Sequence, residues 1–208
     1  LGGAAGGDVV GSSASSGGLT AALSLMEGTT DTLSINGQNV GDLSTSGATL
    51  SDQLATINQN VSGIEASAFV EAVATVAGDG IIRSGSVDLT IVLQDGTSTQ
   101  LSIANTGSLE EVAAQINDKG GASVQASIND DGLLVLSSDV AVSIQTADNT
   151  ATSLAALGLA AGTTQAQLSF DITDSSVDSI DIAYSAGVSD AEITNIGVKK
   201  SVSKPIKW

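Results

Sequence analysis

Cysteine and histidine are both missing from this 208-residue chain, which removes disulfides, thiolate nucleophiles, imidazole bases and the usual zinc and haem ligands. Proline occurs once, and the aromatics are Phe69, Phe170, Tyr184 and Trp208. A core therefore has to come from Leu, Ile, Val and Ala, and the aromatic platforms of a carbohydrate cleft are hardly available. Positive charge is scarce as well: 6 basic residues face 23 acidic ones, a net charge of −17. Lys199, Lys200, Lys204 and Lys207 crowd the last ten positions, leaving Arg83 and Lys119 as the only basic side chains of residues 1–198. Such a body repels phosphate backbones and anionic lipid, so neither nucleic acid nor membrane is expected as a partner. No basic start followed by an apolar run reads as a signal peptide, and no apolar stretch is long enough for a transmembrane helix.

What is present is aliphatic and glycine-rich, with 41% hydrophobic residues, 24 glycines and a mean hydropathy of +0.27, enough apolar surface for an ordered domain. Residues 1–18 are almost entirely Gly, Ala and Ser, a linker composition, and the first 28 residues are parsed as linker with the ordered body starting near Leu19. Asn36-Gly37, Asp95-Gly96 and Asp131-Gly132 then punctuate the chain, each expected to form a two-residue type I′ hairpin turn. Their flanks alternate as half-buried strands: Val87, Leu89, Ile91 and Leu93 share one face, Leu101 and Ile103 follow in phase, and Val124, Ala126 and Ile128 alternate with polar neighbours before Leu133 to Leu136 returns.

Between these hairpins, Ser108-Leu109-Glu110-Glu111 reads as a capping box, and Leu109, Val112, Ala113 and Ile116 recur at helical spacing. A helix near 108–117 is expected, too short to stand alone, with its apolar stripe on the adjoining hairpins. The same unit occurs earlier. Thr49 to Asp52 matches Ser108 to Glu111; Leu50, Leu54 and Ile57 match Leu109, Ala113 and Ile116; and Ile57-Asn58 matches Ile116-Asn117. With one residue of slippage, Ile64 to Ala68 matches Val124 to Ile128. The expected fold is mainly β (α+β): two similar ββ-α-ββ subdomains at 29–80 and 81–164 with helices near 50–58 and 108–117. C-terminal strands around 166–173 and 177–184 lie within 165–198, and a basic tail spans 199–208.

A turn, Leu-x-x-x-Leu/Ala-x-x-Ile-Asn, a strand such as residues 63–68 (GIEASA) or 122–128 (ASVQASI), and a hairpin ending in residues 134–138 (LVLSS) together resemble the IN motif of bacterial flagellins and flagellar hook-associated proteins. Residues 153–164 are also similar to segments found there. The resemblance implies a structural, surface-exposed, extracellular piece of the variable outer region of a flagellin, with a cap or hook-associated domain, or an adhesin-like glycan or receptor binding module, as alternatives. It further implies flagellar subunits as partners, engaged through terminal helices that lie outside this sequence. The isolated chain, lacking a long apolar seam, is expected to be monomeric.

No catalytic, cofactor or metal site is expected, and no enzyme. Asp171, Asp174, Asp178 and Asp181, with Asp139 and Asp148 elsewhere, offer carboxylates for Ca²⁺, yet no Asp-x-Asp-x-Asp-Gly loop occurs and spacings of three alternate faces on a strand. Ser201 to Lys204 matches Ser-x-x-Lys without that motif's companions. Asn60-Val61-Ser62 is an N-glycosylation sequon.

Overall fold

The computed structural model describes residues 9–11, 18–148 and 153–198, and the chain is mostly β with short helices. In chain order the elements are β1 (Val9–Val10), α1 (Gly18–Leu23), β2 (Leu33–Ile35), β3 (Gln38–Asn39), α2 (Leu50–Asn60), β4 (Ile64–Val73), β5 (Ile81–Ile82), β6 (Val87–Leu93), β7 (Ser98–Ile103), β8 (Thr106–Gly107), α3 (Leu109–Gly120), β9 (Gln125–Ile128), β10 (Leu134–Ser138), β11 (Ala141–Asp148), α4 (Ser153–Leu157), β12 (Gly162–Gln165), β13 (Gln167–Ile172), β14 (Ile182–Tyr184) and α5 (Asp190–Ile196). Two compact units result: residues 1–67 with 167–208, and residues 68–166.

In the first unit, β2 is the middle strand of an antiparallel sheet with β3 and β14, Ile182 standing opposite Ile35 and Tyr184 opposite Leu33. β1 pairs with β13. Leu19, Leu23 and Met26 fall within the 1–28 parse but beyond the Gly/Ala/Ser run of 1–18, and all three are fully buried, as are Leu33, Ile35, Ile57, Phe170, Ile182 and Ile196. α1 packs on α2 and α5. α5 starts at a capping box, with Ser189 Oγ accepting the Glu192 N–H and the Glu192 carboxylate accepting the Ser189 N–H at 2.6 Å, and stops at Gly197 in the left-handed region. The strand expected over 177–184 shrinks to 182–184. Asp174 captures the Ser176 N–H and hydroxyl in a local turn, and the backbone of Asp181 bonds to Asn36 instead of to a neighbouring strand.

In the second unit, β12, β11, β6 and β7 form an antiparallel sheet in that order, with a register shift between Ala141 and Ser143. The expected inward row is there: Val87, Leu89, Ile91 and Ile103 are fully buried, Leu101 is buried, and Leu93 is half-buried at the strand end. Residues 70–73 of β4 pair with β10, which pairs in turn with β9. α3 lays Leu109, Val112, Ala113 and Ile116 against β7 and β9, the packing a helix of this length requires. Its cap differs from the sequence expectation: Ser108 Oγ accepts the Glu111 N–H, but the Glu111 carboxylate reaches the Gly107 N–H at 2.7 Å, one residue before the N-cap.

Of the three hairpin turns, only Asn36-Gly37 has both central residues at positive φ, 50° and 75°, as type I′ demands. Asp95-Gly96 and Asp131-Gly132 instead close three-residue loops, in which only the glycine is left-handed. The bonds Leu93 N–H to Thr97 O and Asn129 N–H to Leu133 O close these loops, and Gly96 N–H to Leu93 O and Gly132 N–H to Asn129 O mark the type I turn within each. The physical reason is local. The Asp95 carboxylate is already held by the Thr97 N–H and hydroxyl, and Asn129 Oδ1 by the N–H groups of Asp131 and Leu133, geometries that keep each Asp in the right-handed region.

The segment between β4 and β6 is locked by backbone contact. A Cβ on Gly78 would overlap Ala156 O, one on Gly80 would overlap Ser108 and Leu109, and one on Gly158 would overlap Val76 O. Thr75 N–H to Gly158 O (3.0 Å), Gly80 N–H to Ala156 O (2.8 Å) and the buried Thr106 hydroxyl to Gly80 O (2.6 Å) hold the same segment.

Candidate functional site

The most distinctive local chemistry is a pair of amide clamps. At the C-terminal end of α3, Asn117 donates from Nδ2 to Ala126 O (2.9 Å) and accepts the Ala126 N–H at Oδ1 (2.7 Å). At the matching place on α2, Asn58 does the same to Ala66, with distances of 2.9 and 2.6 Å. Each side-chain amide imitates a β-ladder partner and ties a helix end to the strand that follows, while Ile57 and Ile116 beside it are fully buried. Sequence comparison finds the two Ile-Asn pairs but not this bond pattern.

None of the Asp residues weighed for Ca²⁺ is brought into a shared site. Asp174 serves Ser176, whose bonds lower its pKa below the ordinary carboxylate value, and Asp148 caps α4 by accepting the Leu154 N–H at 3.1 Å. Asp181 lies beside the Asn36 turn, and among the described residues no group of three or more acidic side chains is placed to hold a metal ion. Ser201 to Lys204 lie outside the described residues. Asn60, the sequon asparagine, already donates from Nδ2 to Val40 O (3.0 Å) and Thr56 O (2.9 Å), bonds that an attached glycan would disturb.

A cavity of about 360 Å³ opens at the N-terminus of α2 in the first unit, lined by Thr45, Ser46, Thr56, Gln53 and the carboxylates Asp42 and Asp52. Both acids are occupied. Ser44 donates to Asp42 from its hydroxyl (2.6 Å) and N–H (2.8 Å), Thr49 donates to Asp52 from its N–H (2.9 Å) and hydroxyl (2.8 Å), and these bonds hold both carboxyls below their ordinary pKa. Gln53 is buried and donates to Thr20 O, Ser24 Oγ and Leu43 O, and its Oε1 has no protein partner. No nucleophile and base stand together here. Tyr184 is likewise structural: its hydroxyl donates to Val198 O at 2.6 Å, and burial pushes its pKa far above the usual phenol value. No described helix is long and apolar enough to cross a membrane.

Against known families, the model of the flagellin hook IN motif matches residues 88–140, about a quarter of the chain, a segment that contains α3 and the Asn117 clamp. Two solved structures are similar at low identity. The D2-D3 domains of the flagellar cap protein FliD from Escherichia coli share 12% identity and a TM-score of 0.30, covering 74% of this chain and 98% of that one. The flagellar cap protein FliD from Helicobacter pylori shares 10% and 0.32, covering 93% of this chain and 78% of that one. Superpositions this loose carry no functional weight. No curated protein matches the sequence.

Proposed function

We propose that this chain is a structural, surface-exposed outer module of a bacterial flagellar filament protein or of a related cap or hook-associated protein, acting outside the cell and without catalysis. The observation that carries this reading is the IN-motif match over 88–140, reinforced by the use that segment makes of its Ile-Asn pair: Ile116 fills the core and Asn117 clamps the next strand. The repetition of the clamp at Asn58 supports a finer reading, two related ββ-α-ββ modules at 29–80 and 81–164, preceded by a linker at 1–28 and followed by C-terminal strands at 165–198 and a basic tail at 199–208. Polymerisation contacts then belong to helices outside this chain, and the isolated chain is monomeric at physiological salt, because its described helices are short and its net charge is strongly negative.

The deciding experiment deletes the segment from its parent protein. Filaments should still form, with a smaller outer diameter in electron micrographs. Loss of polymerisation on deletion, or filament growth by the isolated chain, would refute the outer-module reading.

A further inference from the structure

Two sheet edges of the second unit lie against the same helix. Among the described residues β7 pairs with β6 alone and β9 with β10 alone, and α3 packs on both β7 and β9. In an antiparallel ladder, alternate residues turn their N–H and C=O away from the partner strand. The bond from Leu93 N–H to Thr97 O sets that alternation in β7, so Ser98, Gln100, Ser102 and, just past the strand, Ala104 face outward. The bond from Asn129 N–H to Leu133 O sets it in β9, where Ala126 and Ile128 face outward. A row of such groups left unpaired is a template for any extended chain.

α3 meets both rows with polar side chains. Lys119 donates from Nζ to Ser102 O and Gln115 from Nε2 to Ala104 O (3.0 Å), two successive outward carbonyls of the β7 edge. Asn117 takes both the N–H and the C=O of Ala126 on the β9 edge. Helical geometry explains the division: Gln115 and Lys119 stand one turn apart on one flank of the buried stripe Leu109, Val112, Ala113 and Ile116, and Asn117 stands on the other. In the first unit α2 has polar residues in the same places. Asn58 holds Ala66, and Asn60, in the position of Lys119, donates to Val40 O just past β3, a strand that pairs with β2 alone.

We infer that α3 is an edge seal, whose polar flanks occupy the outward backbone groups of β7 and β9 and so deny both edges to an incoming extended strand. The part of β7 left uncovered is short, with Ser98 and Gln100 as its outward residues, both exposed. Removing Gln115 and Lys119 joins Ser102 and Ala104 to it, an open row over residues 98–104 that matches an ordinary strand of about 5–6 residues. The excluded partner is therefore defined by its backbone: a segment able to lie extended beside β7 or β9. The seal belongs to the unit itself, and only its use, keeping neighbouring subunits from merging their sheets, rests on the outer-module reading.

The test is a ¹⁵N NMR titration of the whole chain with a neutral, end-capped peptide of alternating Thr and Gln, about ten residues long, which extends readily and carries no charge to follow the acidic surface. The parent chain should show no saturable shifts at residues 98–104 or 124–128. Q115A/K119A should bind the peptide about tenfold or more tightly than the parent, with shifts along 98–104, and N117A should do so along 124–128. K119R keeps a donor for Ser102 O and should match the parent. V112A controls for stability: it loosens the packing of α3 while keeping all three polar side chains, and it should stay sealed. Binding by Q115A/K119A and N117A no tighter than by the parent, or shifts only elsewhere on the surface, would overturn the proposal. So would V112A binding as well as Q115A/K119A, since loosening of the helix would then suffice. None of these readouts involves filaments, so a failed titration and a failed deletion experiment remain distinguishable.

Discussion

α2 with the start of β4, and α3 with β9, share the clamp and the apolar stripe, yet at one buried position they differ in polarity. Leu50, Leu54 and Ile57 answer to Leu109, Ala113 and Ile116, but Gln53 stands where the other copy has Val112. Val112 is packed with no polar demand. Gln53, equally buried, spends its amide nitrogen on Thr20 O, Ser24 Oγ and Leu43 O, linking α2 to α1 and to the loop before it. One helix frame therefore serves two surroundings: where a second helix must be held, a hydrogen-bonding hub replaces an aliphatic side chain, while the Ile-Asn pair is left alone. What the two copies share is the clamp and the core isoleucine. What they do not share is set by their neighbours.

The sharpest way to break the comparison is to exchange the odd position. Val112→Gln should cost about 3 kcal/mol, because the amide enters an apolar site without partners. Gln53→Val should cost about 2 kcal/mol through the donors lost to Leu43 O and Thr20 O. Urea denaturation of both variants checks the ranking, and equal costs would mean that the two environments are interchangeable.

The shared clamp comes next. Asn117→Ala should cost about 1.5 kcal/mol. Asn58→Ala should cost less, since Asn58 is exposed and water can replace its bonds, whereas Asn117 is half-buried. Asn117→Asp carries a signature that simple truncation lacks. The carboxylate still accepts the Ala126 N–H but repels Ala126 O, which raises its folded-state pKa above the unfolded value of about 3.9. Its penalty should be full above the folded pKa and vanish as pH falls below the unfolded one, where the protonated acid donates again. A penalty independent of pH would show that Asn117 Nδ2 contributes nothing.

Smaller effects are expected at the helix starts, where Thr49→Ala and Ser108→Ala should each cost about 1 kcal/mol by thermal denaturation. Smallest is the acid limb of stability. Asp42, Asp52, Asp95, Asp174 and Glu192 all have pKa values lowered by hydroxyl and N–H donors, so their contribution is present above the unfolded pKa and is lost as pH falls through the folded one. Asp52→Asn should flatten the slope of stability against pH below about 4, and an unchanged slope would contradict the capping geometry of α2.

Both central helices were legible because Thr49 and Ser108 stand just ahead of an apolar stripe of helical period, and the β6–β7 hairpin because its alternation is nearly unbroken. α5 carries a signal of the same kind, the capping box Ser189-Asp190-Ala191-Glu192, but only Ile196 of its residues is buried and its apolar stripe is weak. The turn type does not follow from an Asx-Gly dipeptide alone, since Asn tolerates the left-handed region better than Asp, and only Asn36 enters it at a hairpin tip. The region 177–181 alternates like a strand, but the Asp174 turn takes the Val177 N–H and the Asn36 turn takes the Asp181 backbone, and such pairing is a property that no local pattern contains. The clamps belong to the same class. Asn58 and Asn117 are visible as letters, while their acceptors eight and nine residues further on are fixed only by how the helix returns to the sheet.

The glycines finally sort the surface into places that accept foreign sequence and places that refuse it. At Gly37 and Gly132, both at hairpin tips, a Cβ would meet nothing within 4 Å, and the chain there can be opened to carry an inserted peptide without disturbing the strands on either side. At Gly78 and Gly158 two backbones are pressed together, so a single added methyl forces the segments apart. A scaffold used for antigen display would be loaded at the first two positions and kept untouched at the second two, and a library of inserts along the chain would trace the same division as a map of expression level.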